Sequence, residues 1–263
     1  MTSVALTIAG SDPTGGAGLQ ADLKTFHQFG VYGEAVATLI TAQNTRGVTR
    51  VDVLAPDLVL AQLEAVLEDI PPGAAKTGAL GSRAVVEAVA DAAARFQFPL
   101  VVDPVMISKH GARLLDAESS QLLMQRLLPS AYLLTPNLDE AEAMVGFRVD
   151  TPDAMRSAAR RLMEMGAANV LVKGGHLSGS EAGGEALDIL LLQNGEFREF
   201  SAARVDTPHT HGSGCTYSAA ITACLAKGMA LADAVRLAKE FVTRAIRTAP
   251  GLGGGQGPLN HWA

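Results

Sequence analysis

Short apolar runs rich in valine, leucine and isoleucine recur along the chain, and between them lie longer stretches whose apolar residues stand three and four positions apart. The runs 4–9 (VALTIA), 36–42 (VATLITA), 74–77 (AAKT), 99–103 (PLVVD), 131–135 (AYLLT) and 168–173 (ANVLVK) read as strands. "PDLVLAQLEAVLEDIPP", "SRAVVEAVADAAARF" and "TPDAMRSAARRLMEMG" read as helices. In the last of these Thr151 is the expected N-cap, Pro152 opens the first turn and Gly166 stops the helix. Strand and helix in repeated alternation build a parallel sheet covered on both faces. Such a sheet binds ligands outside the carboxyl ends of its strands. That rule directs attention to residues 10–18, 42–47, 103–111, 135–140 and 173–176, and to the segment before Cys215.

One region is expected to break the alternation. "ALDILLLQNGEFREFSA" reads as two antiparallel strands about an Asn194-Gly195 turn, so the sheet should be mostly parallel with a hairpin late in the chain. With no linker, repeat or low-complexity tract, and a glycine-rich tail at "APGLGGGQGPLNHWA", a single domain over residues 1–263 is expected. The net charge of −6 leaves no basic face for nucleic acid or an anionic membrane, so any phosphate must be met locally. No stretch approaches the roughly 20 apolar residues of a membrane span. Cys215 and Cys224 lie about 13 Å apart along one expected helix, too far for a disulfide. Reduced thiols and a cytoplasmic location are the expectation.

"THGSGCTYSAAITACLAKG" holds the candidate chemistry. With no breaker between Gly214 and Gly228, a helix over about 214–227 is expected, with Cys215 in its first turn. The N–H groups of Gly212, Ser213, Gly214 and Cys215 should lack helical partners and could cradle an anion. The same helix end favours thiolate by about 0.3–1 kcal/mol, under about one unit from an ordinary value near 8.5. In isolation the string reads first as a small apolar residue packing a helix start, and Cys224 has only that reading. The loop "GSDPTGGAGLQADLKTF" contains Gly16-Ala17-Gly18-Leu19-Gln20-Ala21, which mimics a dinucleotide fingerprint but starts six residues beyond the strand and lacks the acid expected about twenty residues on. No G-x4-G-K-[ST] string is present, which excludes a P-loop nucleotidase. Asp103 before a proline reads as a turn residue, and Asn137 with Glu140 as a helix cap.

Taken in order, "ALTIAGSDPTGGAGLQADLKTF", "TAQNTRGV", "DPVM", "LLTPNLDEAEAM", "VLVKGGH" and "THGSGCTYSAA" resemble the hydroxymethylpyrimidine (phosphomethylpyrimidine) kinases of thiamin biosynthesis, in the ribokinase-like superfamily. The resemblance covers essentially the whole chain. It implies a three-layer α/β/α sandwich, a homodimer, and transfer of the γ-phosphoryl of ATP to 4-amino-5-hydroxymethyl-2-methylpyrimidine and then to its monophosphate. Pyridoxine/pyridoxal kinase is the alternative, because one group of those enzymes shares the cysteine. By resemblance Cys215 is the base facing the substrate hydroxyl, with Gly212, Ser213 and Gly214 as its anion cradle. Gly10, Asp22, Gln43 and Val105 belong to the pyrimidine pocket. Asn137, Lys173 and Lys239 face ATP, and Asp103 and Glu140 are the carboxylates for Mg²⁺ between the phosphates. Ala79 departs from the family, which often has methionine there. His209 and His211 read as loop-shaping residues, since no second metal-type cluster accompanies them.

Overall fold

The computed structural model describes residues 2–106, 115–175 and 184–263. The loop stretches 107–111 and 176, to which the sequence reading pointed, lie outside the described residues. In chain order the elements are β1 (Val4–Ser11), α1 (Gly18–Gln28), β2 (Tyr32–Asn44), β3 (Gly47–Val53), α2 (Pro56–Asp69), β4 (Ala74–Thr77), α3 (Arg83–Ala93) and β5 (Leu100–Val102). There follow α4 (Ala117–Leu122), which runs on through a π turn and a 3₁₀ turn to Ser130, β6 (Leu133–Leu134), α5 (Leu138–Val145), α6 (Pro152–Glu164) and β7 (Val170–Gly174). The last are β8 (Glu185–Leu191), β9 (Phe197–Ala203), α7 (Ser213–Ala226) and α8 (Leu231–Arg247).

The strands form one nine-stranded sheet in the order β3-β2-β1-β4-β5-β6-β7-β8-β9. β2, β1, β4, β5, β6 and β7 run parallel. The late hairpin of β8 and β9 forms as expected, antiparallel to β7. A second departure was not expected: β3 pairs antiparallel with β2, through a turn in which Asn44 Oδ1 accepts from the Arg46 N–H at 2.9 Å. β3 sits on the sheet edge with no residue buried, so "GVTRVDV" lacks the apolar face that marks a half-buried strand.

Two apolar layers hold the sandwich. On one face Val59 and Leu63 of α2, Val85 and Val89 of α3, and Met155 and Leu162 of α6 pack on Leu6, Val102 and Val172. On the other, Tyr217, Ile221 and Cys224 of α7 and Val235 and Phe241 of α8 pack on Val101 and Leu171, while Phe26 of α1 meets Ala219 and Ala223. Each aliphatic side chain buried this way contributes about 1.5–3 kcal/mol. The caps are those the residues dictate. Thr151 Oγ1 accepts from the Ala154 N–H at 3.1 Å, and Asn137 and Glu140 form a reciprocal capping box on α5.

Candidate active site

The chain leaves β1 toward β2 and β3, then returns to β4 on the other side of β1, so the connections diverge between β1 and β4. Crevices form at such a switch point. A cleft of about 840 Å³ opens there, lined by the loops after β1, β4, β5, β6 and β7 and by the first turn of α7.

Two glycine turns interlock at its floor. Gly18 has φ +55°, and a Cβ on it would lie 2.2 Å from the Gly10 carbonyl oxygen. Gly212 caps α7 with φ +80°, and a Cβ on it would lie 1.8 Å from the Gly16 carbonyl oxygen. Only glycine permits either approach. Asp12 ties the turns together: its carboxylate accepts from the Thr14 N–H at 2.8 Å and the Ala17 N–H at 2.9 Å, and lies 2.8 Å from His211 Nε2. Burial alone would raise this carboxyl, but hydrogen bonds from His211, Gln43 and Thr14 outweigh it and hold it well below the carboxylate range. The glycine-rich tail braces the same turns. His211 N–H donates to Gly257 O at 3.2 Å, Gly257 N–H to His209 Nδ1 at 3.2 Å, and Gln256 N–H to Thr45 O at 2.7 Å. Both histidines therefore shape the loop, as expected.

Cys215 sits half-buried in the first turn of α7 and its sulfur accepts from the Gly18 N–H. Beside it lies a buried set of charges. Lys173 Nζ is 2.9 Å from Asp103 Oδ1, and Thr135 Oγ1 donates to the same oxygen at 3.1 Å. Burial disfavours both charges, yet each holds the other ionised, lowering Asp103 and raising Lys173. Burial pushes the Glu140 carboxyl up to about 7, against the pull of Lys173. The Asn137 N–H donates to Glu140 Oε2 at 2.8 Å and the Glu140 N–H to Asn137 Oδ1 at 2.9 Å. Among the described residues no cluster of three or more His, Cys, Asp or Glu side chains could hold a metal by itself. Two carboxylates beside a lysine suit a hard cation that takes its remaining oxygens from phosphates and water.

A family model described as phosphomethylpyrimidine kinase matches residues 12–260. The chain belongs to the phosphomethylpyrimidine kinase family. The hydroxymethylpyrimidine/phosphomethylpyrimidine kinase of Haemophilus influenzae is 48% identical over 259 residues, covering 98% of this chain and 96% of that one. Among solved structures, the phosphomethylpyrimidine kinase of Clostridium difficile superposes with a TM-score of 0.82 at 43% identity, covering 93% of this chain and 100% of that one. The Bacillus subtilis pyridoxal kinase, solved as an ADP complex, superposes at 0.90 with 38% identity over 99% and 98% of the two chains. The ribokinase-like fold expected from the sequence is thus the fold observed.

Every residue that the sequence reading set at the site of a phosphomethylpyrimidine kinase lines this one cleft: the first turn of α7 with Cys215, the Gly10 and Gln43 walls, and the carboxylates and lysines beyond them. Four details differ from expectation. The Ser213 N–H donates to Thr210 O at 3.2 Å, so the cradle is left with the N–H groups of Gly212, Gly214 and Cys215. Asp22 has no exposed surface; its carboxylate takes Thr7 Oγ1 at 2.7 Å and Lys76 Nζ at 2.8 Å, making it part of the floor. Lys239 Nζ lies 2.7 Å from Asp188 Oδ2, so its charge is already paired. Burial, with Asp22 and Asp103 adding to it, pushes the Cys215 thiol up to about 11 although Lys76 opposes, which outweighs the helix end.

Lys76, Asp12 and Asp188 escaped the sequence reading. A signal existed for two of them: Lys76 stands in the four-residue strand AAKT and Asp188 in ALDILLL, and a charge inside an apolar strand is buried only with a partner.

Proposed function

We infer that the chain transfers the γ-phosphoryl group of ATP to the hydroxymethyl oxygen of 4-amino-5-hydroxymethyl-2-methylpyrimidine, and a second such group to the resulting monophosphate. The observation that carries this reading is the convergence of Cys215, the Gly212–Cys215 turn and the Asp103–Lys173 pair on one cleft at the switch point. The ADP complex of the Bacillus subtilis pyridoxal kinase, at 38% identity, supports a nucleotide in the same cleft.

The chain's residues divide the work. The N–H groups of Gly212, Gly214 and Cys215, which make no hydrogen bond among the described residues, bind phosphoryl oxygens where negative charge gathers. Lys173, fixed by Asp103, adds a point charge, and the Asn137 amide nitrogen, which makes no hydrogen bond within the described residues, donates to phosphate. Asp103 and Glu140 would hold Mg²⁺, which when bound neutralises phosphate charge. Lys239 reaches the nucleotide side of the cleft as a buttress of Asp188. One N–H of Gln43 goes to Asp12, leaving the other N–H and Oε1 to match a ring nitrogen and the exocyclic amine of the pyrimidine. Gly10, Val105 and Ala79 line the space beside it.

Cys215 accepts the hydroxyl proton. Phosphoryl transfer passes through a loose transition state in which that proton leaves late, so positioning and charge neutralisation carry most of the rate enhancement. At neutral pH the buried thiolate is the minor form, and its share grows as pH rises toward about 11. We further read the protein as a cytoplasmic homodimer. Exposed Tyr32, Ile40 and Val53 on β2 and β3 support the dimer, and among the described residues no helix is long and apolar enough to cross a membrane.

The similarity to the Bacillus subtilis pyridoxal kinase, together with the small Ala79 on the pocket wall, favours pyridoxal phosphorylation as a second reading. A coupled assay of ATP consumption with the pyrimidine alcohol, its monophosphate and pyridoxal side by side decides between them. The pyrimidines are expected to give the higher kcat/KM; a preference for pyridoxal reverses the assignment.

A further inference from the structure

We propose that Lys76 is a positioning residue for the reaction: its buried ammonium, locked by Asp22, favours thiolate over thiol at Cys215. The proposal rests on the reading of Cys215 as the base. Lys76 lies on the central strand β4, and its Nζ is 2.8 Å from Asp22 Oδ1 and 3.4 Å from the Cys215 carbonyl oxygen. Neither side chain of the pair has any exposed surface. Thr7 Oγ1 donates to the other Asp22 oxygen at 2.7 Å, so the carboxylate cannot swing away and the ammonium is held beneath the first turn of α7.

Stability does not account for this pair. A buried ion pair is often no more stabilising than apolar side chains of the same volume, because desolvation offsets the attraction. The neighbours of Lys76 on its strand are Ala74, Ala75 and Thr77, all buried, so an apolar residue would suit the strand well. What an apolar pair cannot do is place a full charge beside a sulfur. The groups facing Cys215 come from every element around it: Lys76 from β4, Asp22 from α1, Asp103 after β5, Lys173 from β7 and the Gly18 N–H at the start of α1. Burial opposes the thiolate. Lys76 is the strongest of the groups that favour it, while Asp22 and Asp103 work against it. The two members of the pair therefore act on the sulfur in opposite senses, so neutralising one or the other should move the thiol in opposite directions.

The test reads the sulfur without turnover. Cys215 is alkylated with iodoacetamide across a range of pH in the absence of ATP and alcohol, and the modified peptide is quantified by mass spectrometry. Fully buried Cys224 serves as an internal report of folding. Lys76→Met is expected to slow alkylation about tenfold at a given pH, the equivalent of a titration displaced upward by about one unit. Asp22→Asn is expected to speed it, and Lys76→Arg, which keeps the charge, to stay close to the parent. Should Lys76→Met expose Cys224, the double variant Lys76→Met/Asp22→Asn carries the test, since it leaves no unpaired buried charge. It must react about tenfold more slowly than Asp22→Asn alone. Equal rates in that comparison, or single variants that change the rate in the same direction, overturn the proposal. Loss of the base assignment would show instead as phosphoryl transfer surviving in Cys215→Ala, with these alkylation rates unaffected.

Discussion

Gly212→Ala tests the two interlocked turns most severely. The residue sits at φ +80°, where an L side chain costs about 1–2 kcal/mol. Its new Cβ would lie 1.8 Å from the Gly16 carbonyl oxygen, a backbone atom that can move only if the whole Gly16–Gly18 turn moves. Restoring ordinary contact takes a retreat of about 1.5 Å, and misplacing a reacting group by about 1 Å can cost roughly 10²-fold. The same movement withdraws the Gly18 N–H from Cys215 and turns the cradle donors off their target. Loss of one preorganised donor alone costs about 10²–10³ in kcat. A fall in kcat of about 10²–10³ is therefore expected in a steady-state coupled assay, and because relieving the backbone clash adds about 1–3 kcal/mol to the strain, Tm should fall by about 4–20 °C. Gly214→Ala is the control. Its Cβ would meet Lys173 Nζ at 3.4 Å and Asp103 Oδ2 at 3.8 Å, ordinary contacts with side chains rather than backbone, so Tm should hold while KM for ATP rises. A Gly212→Ala protein with parental kcat, or one whose activity loss merely follows a collapse of Tm, would show that the interlocked turns do not hold the donors in place.

Gln43→Ala should raise KM for the pyrimidine about tenfold, the worth of two modest hydrogen bonds, and leave KM for ATP unchanged in the same assay. Lys239→Ala leaves the buried Asp188 carboxylate with the Gly174 N–H but without its counter-ion, which costs about 3–5 kcal/mol; Tm measured by calorimetry should fall by about 10 °C. Glu34 is buried on β2, its Oε2 has no hydrogen-bond partner among the described residues, and burial, with Asp69 adding to it, pushes its carboxyl up from 4.5 to about 7. A carboxyl raised by folding stabilises the fold while protonated, so the contribution is complete below 4.5 and is lost as pH climbs through about 7. Glu34→Gln, neutral throughout, should melt above the parent at alkaline pH, with the gap closing on acidification; the reverse order in thermal unfolding would contradict the burial argument.

Much of the fold was legible because periodicity and capping agree along the chain. α6 shows this best, with its threonine cap, its proline and a helix face buried at Met155, Ala158, Ala159 and Leu162. α7 was legible for a different reason. Residues 216–225 are all buried, so it carries no amphipathic stripe, and only its flanking glycines delimit it. β3 was illegible because it buries nothing. One topological rule selected loops distant in sequence that meet at the ends of parallel strands, whereas the roles of the residues there, and the place of Lys239 on a helix outside those loops, came from the resemblance of the motifs to the family. What the sequence could not show was pairing across the fold. Lys239 carries no sign that Asp188 faces it, and Lys76 none that Asp22 and Cys215 lie beside it. The thiol illustrates the same limit: the helix end that favours its ionisation is visible in the residues, whereas the burial that opposes ionisation depends on the packed structure.

Single-turnover phosphoryl transfer to the pyrimidine alcohol by Cys215→Ala and the parent, followed from neutral to alkaline pH with ATP binding measured in parallel, tests the account most directly. The parent's rate should climb steadily, since its thiol is pushed up to about 11, whereas the variant should bind ATP normally and transfer about 10²–10⁴-fold more slowly with no such climb. A variant that matches the parent's rate, or shares its rise with pH, would show that the proton leaves by another route.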